Sequence, residues 1–256
     1  MNRWTFVIAY YNEADFLPAT LAALAAQREP MRLILIDNGS TDASPDIAAA
    51  FAAPGIETVL LHEARPGKIH ALETAMAHLT TELVAFGDAD TFYPPHYMTE
   101  ATHAFDADPG IVAVMALGVD QSTQPLRRRL YSDGVTRLLS KQTHTGGYGQ
   151  TFRTAALVAA GGFSEAHWPY VLLDHEIIQR VAKLGRVVYP RNFWAIPSPR
   201  RTDRRRVRWT LAERLLYHAT PFALKDWYFY RFLGPRLKAR GITHLNLRDQ
   251  PWETKG

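Results

Sequence analysis

Short apolar runs alternate with segments of helical periodicity over the first part of the chain. The apolar runs are four to seven residues long, as expected for buried strands, whereas the periodic segments repeat apolar side chains every three to four residues. The predicted strands are 4–9, 32–36, 58–62, 83–86 and 111–117. The predicted helices are 15–27, 44–51, 68–79 and 96–105. This alternation predicts an α/β fold with a doubly wound, mostly parallel central sheet flanked by helices.

The regular pattern weakens in the second half. Residues 120–150 are polar, basic and rich in glycine, and residues 211–233 interleave aromatic, aliphatic and basic side chains. Two further helices are predicted, at 154–160 and 174–184. We therefore predict one α/β domain, residues 1–195, followed by a basic, aromatic-rich helical extension, residues 196–256.

Charge is distributed unevenly, although 47% apolar and 21% charged residues are ordinary for a globular protein. Residues 1–195 carry 15 Lys and Arg against 20 Asp and Glu, a net charge of −5. Residues 196–256 carry 14 against 5, a net charge of +9. The extension therefore predicts an anionic partner, such as phosphate, acidic lipid or nucleic acid.

The chain contains no cysteine, which excludes a disulfide scaffold, a cysteine nucleophile and a thiolate metal site. The N-terminus reaches acidic and polar residues too soon for a secretory signal. No apolar run approaches the roughly 20 residues that span a bilayer. We expect a cytoplasmic protein, with contact at the inner face of the membrane as a further expectation from the basic extension.

Polar side chains follow three of the predicted strands. Tyr11 and Glu13 follow the first, Asp37 the second, and Asp88 with Asp90 the fourth. Ligands of doubly wound sheets bind at the carboxyl ends of strands, so we expect these side chains along one edge. Two carboxylates one residue apart suit Mg²⁺ or Mn²⁺ together with substrate phosphates, although a solvated turn has the same composition.

Two helix starts also carry candidate chemistry. Lys68 follows Gly67 at a helix N-terminus, where a phosphate is favoured, but a surface loop explains the same residues. Asp174 opens a later helix, either as an ordinary partner of the helix dipole or as a general base. His175 beside it is a ligand or an acceptor contact in the second interpretation, although a lone histidine is more often neither.

The C-terminal extension begins with six arginines between residues 200 and 208. Three interpretations are a phosphate clamp, a nucleic-acid patch and a solvated basic face that suits anionic lipid. No nucleic-acid recognition module accompanies the arginines, so we expect no nucleic-acid partner. The aromatic stretch that follows packs on the main domain, forms a dimer contact or lies at a membrane interface.

In this order the motifs resemble the inverting nucleotide-sugar glycosyltransferases of glycosyltransferase family two, which have the GT-A fold. The stretches that carry the resemblance are IAYYNE, IDNGSTD, RPGKIHAL, GDADT, GQTFRTAALVAAGGF and LLDHEIIQR. They span about residues 5–190 and are specific as an ordered set. Ala9 replaces the usual proline, and Leu173 replaces the usual glutamate.

The resemblance implies a role for each motif residue. Asp174 is implied as the catalytic base, and Asp88 and Asp90 as ligands of Mn²⁺ or Mg²⁺. Nucleotide-sugar binding, within about residues 1–118, is implied for Ala9, Tyr11, Glu13, Asp37, Lys68, Asp88, Ala89 and Asp90. The acceptor half, about residues 119–195, is expected to use Gly147, Tyr148, Gly162 and His175. A phosphate clamp is expected from Arg200, Arg201 and Arg208.

The implied function is metal-dependent, inverting transfer of a sugar to a glycan or lipid-linked acceptor in cell-surface glycan or glycolipid synthesis, with a UDP-sugar as favoured donor. Arg205-Arg206-Val207-Arg208-Trp209 replaces the Q-x-x-R-W of processive members, which favours single transfer. One alternative is a sugar-phosphate nucleotidyltransferase, which usually has a glycine-rich basic N-terminal loop. The other is a non-catalytic scaffold that binds nucleotide sugar or lipid.

Overall fold

The computed structural model describes residues 2–119, 146–198 and 210–248. The strands in these ranges are β1 (Trp4–Tyr10), β2 (Met31–Asp37), β3 (Ile56–His62), β4 (Leu83–Asp88), β5 (Thr91–Phe92), β6 (Ile111–Met115), β7 (Leu117–Gly118), β8 (Gln150–Arg153), β9 (Arg186–Val188) and β10 (Trp194–Pro197). The α-helices are α1 (Leu17–Ala25), α2 (Ser44–Ala50), α3 (Lys68–Met76), α4 (Tyr97–Ala107), α5 (Thr154–Ala159), α6 (Leu173–Val181), α7 (Leu211–Ala219) and α8 (Gly234–Ala239). A π-helical segment, Trp227–Leu233, precedes α8, and 3-10 turns occur at Gly147–Gly149, Phe222–Leu224 and His244–Leu247.

Seven of the described strands form the central sheet, in the order β3-β2-β1-β4-β8-β6-β9. Strands β1 to β4 pair in parallel, as do β6 and β9, whereas β8 runs antiparallel between β4 and β6. The predicted mostly parallel sheet flanked by helices is confirmed. Strands β5, β10 and β7 form a small second sheet beside it.

Each face of the central sheet has its own core, because neighbouring side chains of a strand point to opposite faces. On one face Val7 and Ile34 pack in a cluster with side chains of α3 and α6. On the other face Phe6 and Leu33 pack with side chains of α1 and α4. Burial on both faces explains why β1 and β2 are continuous apolar runs.

Residues 210–248 pack on the first of these cores. Tyr217, Phe229 and Leu237 are buried in the same cluster as Trp168 and Ile177 of the main domain. Packing on the main domain therefore accounts for the buried part of the aromatic stretch. The domain boundary at residue 195 stays a prediction. Within the described ranges, no helix combines the length and apolar character needed to cross a bilayer.

Candidate active site

The sheet order brings three predicted motifs to one edge. Strand β1 lies between β2 and β4, so the chain leaves all three strands at neighbouring points. In this register Ala9 is opposite Ile36 on one side and Asp88 on the other, and Tyr10 is opposite Asp37. The loops after these strands therefore form a common surface at the carboxyl edge of the sheet.

The loop after β1 is held by the loop after β2. Asn12 has a left-handed backbone with φ of 51°, a conformation that asparagine tolerates better than most residues. Its N–H donates to Ser40 Oγ at 3.0 Å, and the N–H of the buried Glu13 donates to Ser44 Oγ at 2.8 Å. These bonds fix the backbone directly after Tyr11.

Asp37 ends β2 with a buried carboxylate. Its Oδ1 accepts the N–H of Ser40 at 2.9 Å, and its Oδ2 lies 3.0 Å from His62 Nδ1 at the end of β3. Burial, together with the negative charge of Asp37, raises the pKa of the Tyr10 hydroxyl. Asp37 is thus held at the edge by its own turn and by the neighbouring strand.

Arg248 covers Tyr11, a contact that no sequence motif predicted. Its guanidinium carbon lies 3.6 Å from the centre of the Tyr11 ring. Nη1 and Nη2 donate to the side-chain and main-chain oxygens of Asn38 at 2.9 and 3.0 Å. Asn38 Oδ1 also accepts the Gly67 N–H at 2.7 Å. Because Arg248 and Asn38 are 210 residues apart, no local pattern indicates the contact.

Asp88 is the last residue of β4, and Asp90 lies in the turn that follows. Two side chains from elsewhere hold this turn. Thr20 Oγ1 donates to the Ala89 carbonyl at 2.8 Å, and Tyr93 Oη accepts the Asp88 N–H at 2.9 Å. Asp90 itself is buried. The backbone that carries both carboxylates is therefore held by side chains from other parts of the fold.

An ammonium group lies beside this pair. Lys68, the first residue of α3, forms an ion pair with Asp88 through Nζ and Oδ1. It offsets part of the repulsion between two carboxylates that sit one residue apart. Two carboxylates at a strand exit also provide the oxygen donors that Mn²⁺ and Mg²⁺ prefer, so Asp88 and Asp90 fit such an ion.

Asp174 lies in the first turn of α6, two residues after Leu172, whose backbone is left-handed with φ of 66°. Its Oδ1 accepts the N–H of His175 and lies 3.0 Å from His175 Nδ1. The carbonyl of Asp174 accepts Gln150 Nε2 at 2.9 Å. The start of α6 is thereby joined to β8 in the central sheet.

Gly147 lies close to both Asp174 and Lys68, the ion-pair partner of Asp88. A Cβ built on Gly147 would lie 3.6 Å from Lys68 Nζ and 3.8 Å from Asp174 Cβ. Any larger side chain at this position would enter the space between Lys68 and Asp174. The structure thus brings Asp88, Lys68, Gly147 and Asp174 together from four separate parts of the sequence.

Other predicted residues have different positions. The carbonyl of Tyr148 accepts Tyr93 Oη at 3.0 Å, which joins it to the turn after β4. Gly162 follows α5, and its carbonyl accepts Arg180 Nη2 at 2.8 Å. Because Arg180 is six residues beyond Asp174 on α6, Gly162 lies away from the candidate base. The predicted clamp residues Arg200, Arg201 and Arg208 lie outside the described residues.

A buried ion pair lies on α6, the helix that carries Asp174. Glu176 accepts Arg180 Nε at 2.7 Å and Nη2 at 2.9 Å, and it also accepts the hydroxyl of Tyr230. Glu176 and Arg180 belong to the motif LLDHEIIQR. They join α6 to the end of α5 and to the C-terminal segment, so they orient the helix that carries Asp174.

A protein-family comparison decides the family. The model described as glycosyl transferase family 2 matches residues 5–160, more than half of the 256 residues. The chain belongs to glycosyl transferase family 2. The matched range contains every predicted motif at the carboxyl edge of the sheet and ends before Asp174. The resemblance inferred from the motifs is confirmed.

Curated relatives carry glycosyltransferase names. The uncharacterized glycosyltransferase YibD of Escherichia coli is 34% identical over 109 residues, 42% of this chain and 32% of that protein. An undecaprenyl-phosphate 4-deoxy-4-formamido-L-arabinose transferase of Edwardsiella ictaluri is 32% identical over 129 residues, 48% of this chain and 39% of that protein. The match therefore spans only 32% to 39% of the length of these relatives.

Solved structures confirm the fold of this family 2 member. The mannosyltransferase PcManGT of Pyrobaculum calidifontis, solved with GDP-Man and Mn²⁺, has a TM-score of 0.69 at 25% identity, over 98% of this chain and 71% of that one. TarS of S. aureus, solved with UDP-GlcNAc, has a TM-score of 0.63 at 16% identity, over 99% and 77%. The second likeness concerns the fold alone.

Proposed function

We propose that this chain transfers a sugar from a nucleoside-diphosphate sugar to an acceptor hydroxyl, in a single step that inverts the anomeric carbon. The observation that carries the proposal is the convergence of Asp88, Lys68 and Asp174 around Gly147. Such a transfer needs groups for the donor diphosphate and a base for the acceptor, side by side. Membership in glycosyl transferase family 2 supports the same reaction.

The chemistry assigns one task to each side chain. Asp174 takes the proton of the acceptor hydroxyl while the oxygen attacks the anomeric carbon. The bond from that carbon to the diphosphate breaks, and the nucleoside diphosphate leaves with the electron pair. Lys68 offsets negative charge on the leaving group. Mn²⁺ or Mg²⁺, held by Asp88 and Asp90, would supply further positive charge there.

The nucleoside part of the donor is assigned to the pocket of Tyr11, Glu13 and Asp37. In the structure Arg248 lies 3.6 Å above the Tyr11 ring, which leaves no space for a base between them. We therefore infer that a base stacking on this face displaces Arg248. A UDP-sugar is the expected donor, although the mannosyltransferase at 25% identity binds GDP-Man, so both nucleotides need testing.

The acceptor is proposed to be a glycan or a lipid-linked sugar. Large apolar side chains are exposed in the C-terminal segment at Leu211, Leu215, Leu224 and Trp227. Leu211 and Leu215 are four residues apart on α7, so they share one face, and the exposed Arg214 lies between them in sequence. Exposed apolar and basic side chains together suit an anionic membrane surface, as a lipid-linked acceptor requires.

The proposal is tested by thermal unfolding with UDP, GDP, dTDP or CDP, each with and without Mn²⁺. A ligand present at 100 times its Kd stabilises the native state by roughly 2.7 kcal/mol, so a specific nucleotide should raise the Tm clearly. One nucleotide should raise the Tm only when Mn²⁺ is present. In Asp90→Asn the same nucleotide with Mn²⁺ should no longer raise the Tm. The matched control is Asp106→Asn, because Asp106 is an exposed carboxylate of α4 that binds Arg3.

Three outcomes separate the alternatives. Stabilisation followed by release of nucleoside diphosphate from a nucleotide sugar supports the transferase. Stabilisation by nucleotide sugar without any turnover favours a non-catalytic scaffold. Stabilisation by a nucleoside triphosphate together with a sugar phosphate, rather than by a nucleoside diphosphate, favours a nucleotidyltransferase.

A further inference from the structure

Two histidines and a glutamate converge at a second place, formed by three separate segments. His70 belongs to α3, Glu165 to the loop after α5, and His244 to the 3-10 turn His244–Leu247. Each offers one ligand atom, and these atoms lie within 4.8 Å of one another. Nε2 of His244 is 3.2 Å from one oxygen of Glu165, and Nε2 of His70 is 3.7 Å from the other.

The surroundings of this His70–Glu165–His244 cluster are those of a metal site. The two histidines are buried, with 7% and 5% exposed, whereas the Glu165 side chain is 46% exposed and leaves one side open to water. Nδ1 of His70 is 3.4 Å from Glu73, a carboxylate that also accepts the Glu165 N–H at 2.7 Å. A carboxylate behind a ligating imidazole is a common feature of metal sites.

The donor set distinguishes this cluster from the carboxylate pair. Two imidazoles and one carboxylate with an open fourth position suit Zn²⁺, and imidazole favours such metals over Mg²⁺. We propose that the His70–Glu165–His244 cluster binds a transition-metal ion of the Zn²⁺ class, separate from the ion expected at Asp88 and Asp90.

Such an ion would join the C-terminal segment to the catalytic domain. His244 is already held there by its N–H, which donates to the Pro169 carbonyl at 3.1 Å. Gly67, with φ of +118°, lies directly against the His244 ring, where a Cβ would clash. Four residues after His244, Arg248 lies on Tyr11. The metal thus fixes the segment that covers the nucleoside pocket.

The test uses the full chain without a histidine tag, stripped with chelator and held in excess Mg²⁺ to occupy the carboxylate pair. Zn²⁺ and Co²⁺ are titrated by calorimetry, and Co²⁺ also by its visible absorption. We expect one ion per chain, with affinity lowered by more than about 100-fold in His244→Gln and in Glu165→Gln. His103→Ala, an exposed histidine on α4, is the matched control and should bind as the wild type.

A second measurement separates loss of a ligand from loss of the fold. The metal-free variants should unfold at the wild-type temperature, while Zn²⁺ raises the Tm of the wild type and of His103→Ala only. Absence of Zn²⁺ and Co²⁺ binding in the folded wild type would overturn the proposal, since the cluster would then be a hydrogen-bonded network. Binding unchanged in both His244→Gln and Glu165→Gln would overturn it equally. Neither result depends on nucleotide binding.

Discussion

Two regions hold their charges in different ways. One is the proposed catalytic side, formed by Asp88, Lys68 and Asp174, and the other is the C-terminal segment, residues 210–248. On the catalytic side, carboxylates lie at strand exits and bind partners from neighbouring elements, as Asp88 does with Lys68 at the start of α3. In the C-terminal segment, cations lie over aromatic rings, with Lys225 Nζ 3.6 Å from the Tyr217 ring centre and Arg248 3.6 Å from that of Tyr11. Changes on the catalytic side should therefore stop the reaction, whereas changes in the C-terminal segment should alter stability or affinity.

The sharpest test of this contrast is Asp174→Asn. Asparagine keeps the shape of the side chain but cannot accept the acceptor proton, so we expect turnover to fall about 10³-fold or more. Nucleotide binding should remain, because the groups proposed to hold the donor lie at or after the ends of β1, β2 and β4 and at the start of α3, and none of them is on α6. Release of nucleoside diphosphate, with water or a candidate sugar as acceptor, measures the first effect, and thermal shift with nucleotide and Mn²⁺ measures the second. Turnover at the wild-type rate would remove Asp174 from the mechanism.

The contact between the two sides should matter for stability. Glu176 is buried and binds both Arg180 and Tyr230, so Glu176→Gln leaves the Arg180 guanidinium without its counter-charge. Breaking one partner of a buried pair costs about 3–5 kcal/mol, and we expect about 3 kcal/mol in urea unfolding. The matched control is Glu82→Gln, an exposed carboxylate that binds Arg3 and Arg153, where less than about 1 kcal/mol is expected. Equal losses in both variants would contradict the structural role of Glu176.

The sequence predicts the carboxyl edge of the sheet well, because local patterns determine it. A buried strand followed by polar residues predicts where Asp37 and Asp88 lie, and parallel pairing then brings them to one edge. The short strands β8, β9 and β10 were not predicted, since three or four residues carry too little periodicity. Strand β8 matters most, because it runs antiparallel between β4 and β6 and receives the start of α6.

Contacts of the C-terminal segment could not be predicted for a different reason. Composition suggested a basic surface, but Lys225 is fully buried and Arg248 lies on a ring at the other end of the chain. His70 and His244 are 174 residues apart in the numbering and give no spacing that indicates a metal site. Such pairs depend on how the segment packs across the domain, which no local pattern encodes.

Lys225 provides a pH-dependent test of the C-terminal segment. Its Nζ binds the Tyr217 carbonyl, and burial lowers the pKa of the ammonium to about 8. An unfolded lysine keeps its proton up to about pH 10.4. Between these values the unfolded chain binds more protons, so stability rises with pH, by at most about 1.4 kcal/mol per pH unit. The unfolding free energy of the wild type minus that of Lys225→Met should therefore rise from pH 8 to 10.

The control for this pH effect is the exposed Lys238, on α8. Lys238→Met should shift stability by the same small amount at every pH. A wild-type advantage over Lys225→Met that stays constant or shrinks as pH rises would contradict a lysine that loses its proton on folding. The buried amine would then remain charged and held by the Tyr217 ring.

The smallest expected effect concerns Arg248. It decides whether the C-terminal segment covers the nucleoside pocket or helps to bind the nucleotide. If Arg248 occupies the face of Tyr11 that the base needs, Arg248→Ala should bind nucleotide about five- to tenfold more tightly, since contacts worth roughly 1 kcal/mol no longer have to be broken. Calorimetry with the best nucleotide from the thermal-shift panel measures this, with Arg231→Ala as an exposed control. Weaker binding would instead make Arg248 a ligand contact. Because the change leaves Asp88, Lys68 and Asp174 untouched, turnover at saturating donor should stay at the wild-type level, which separates a cover over the pocket from a part of the chemistry.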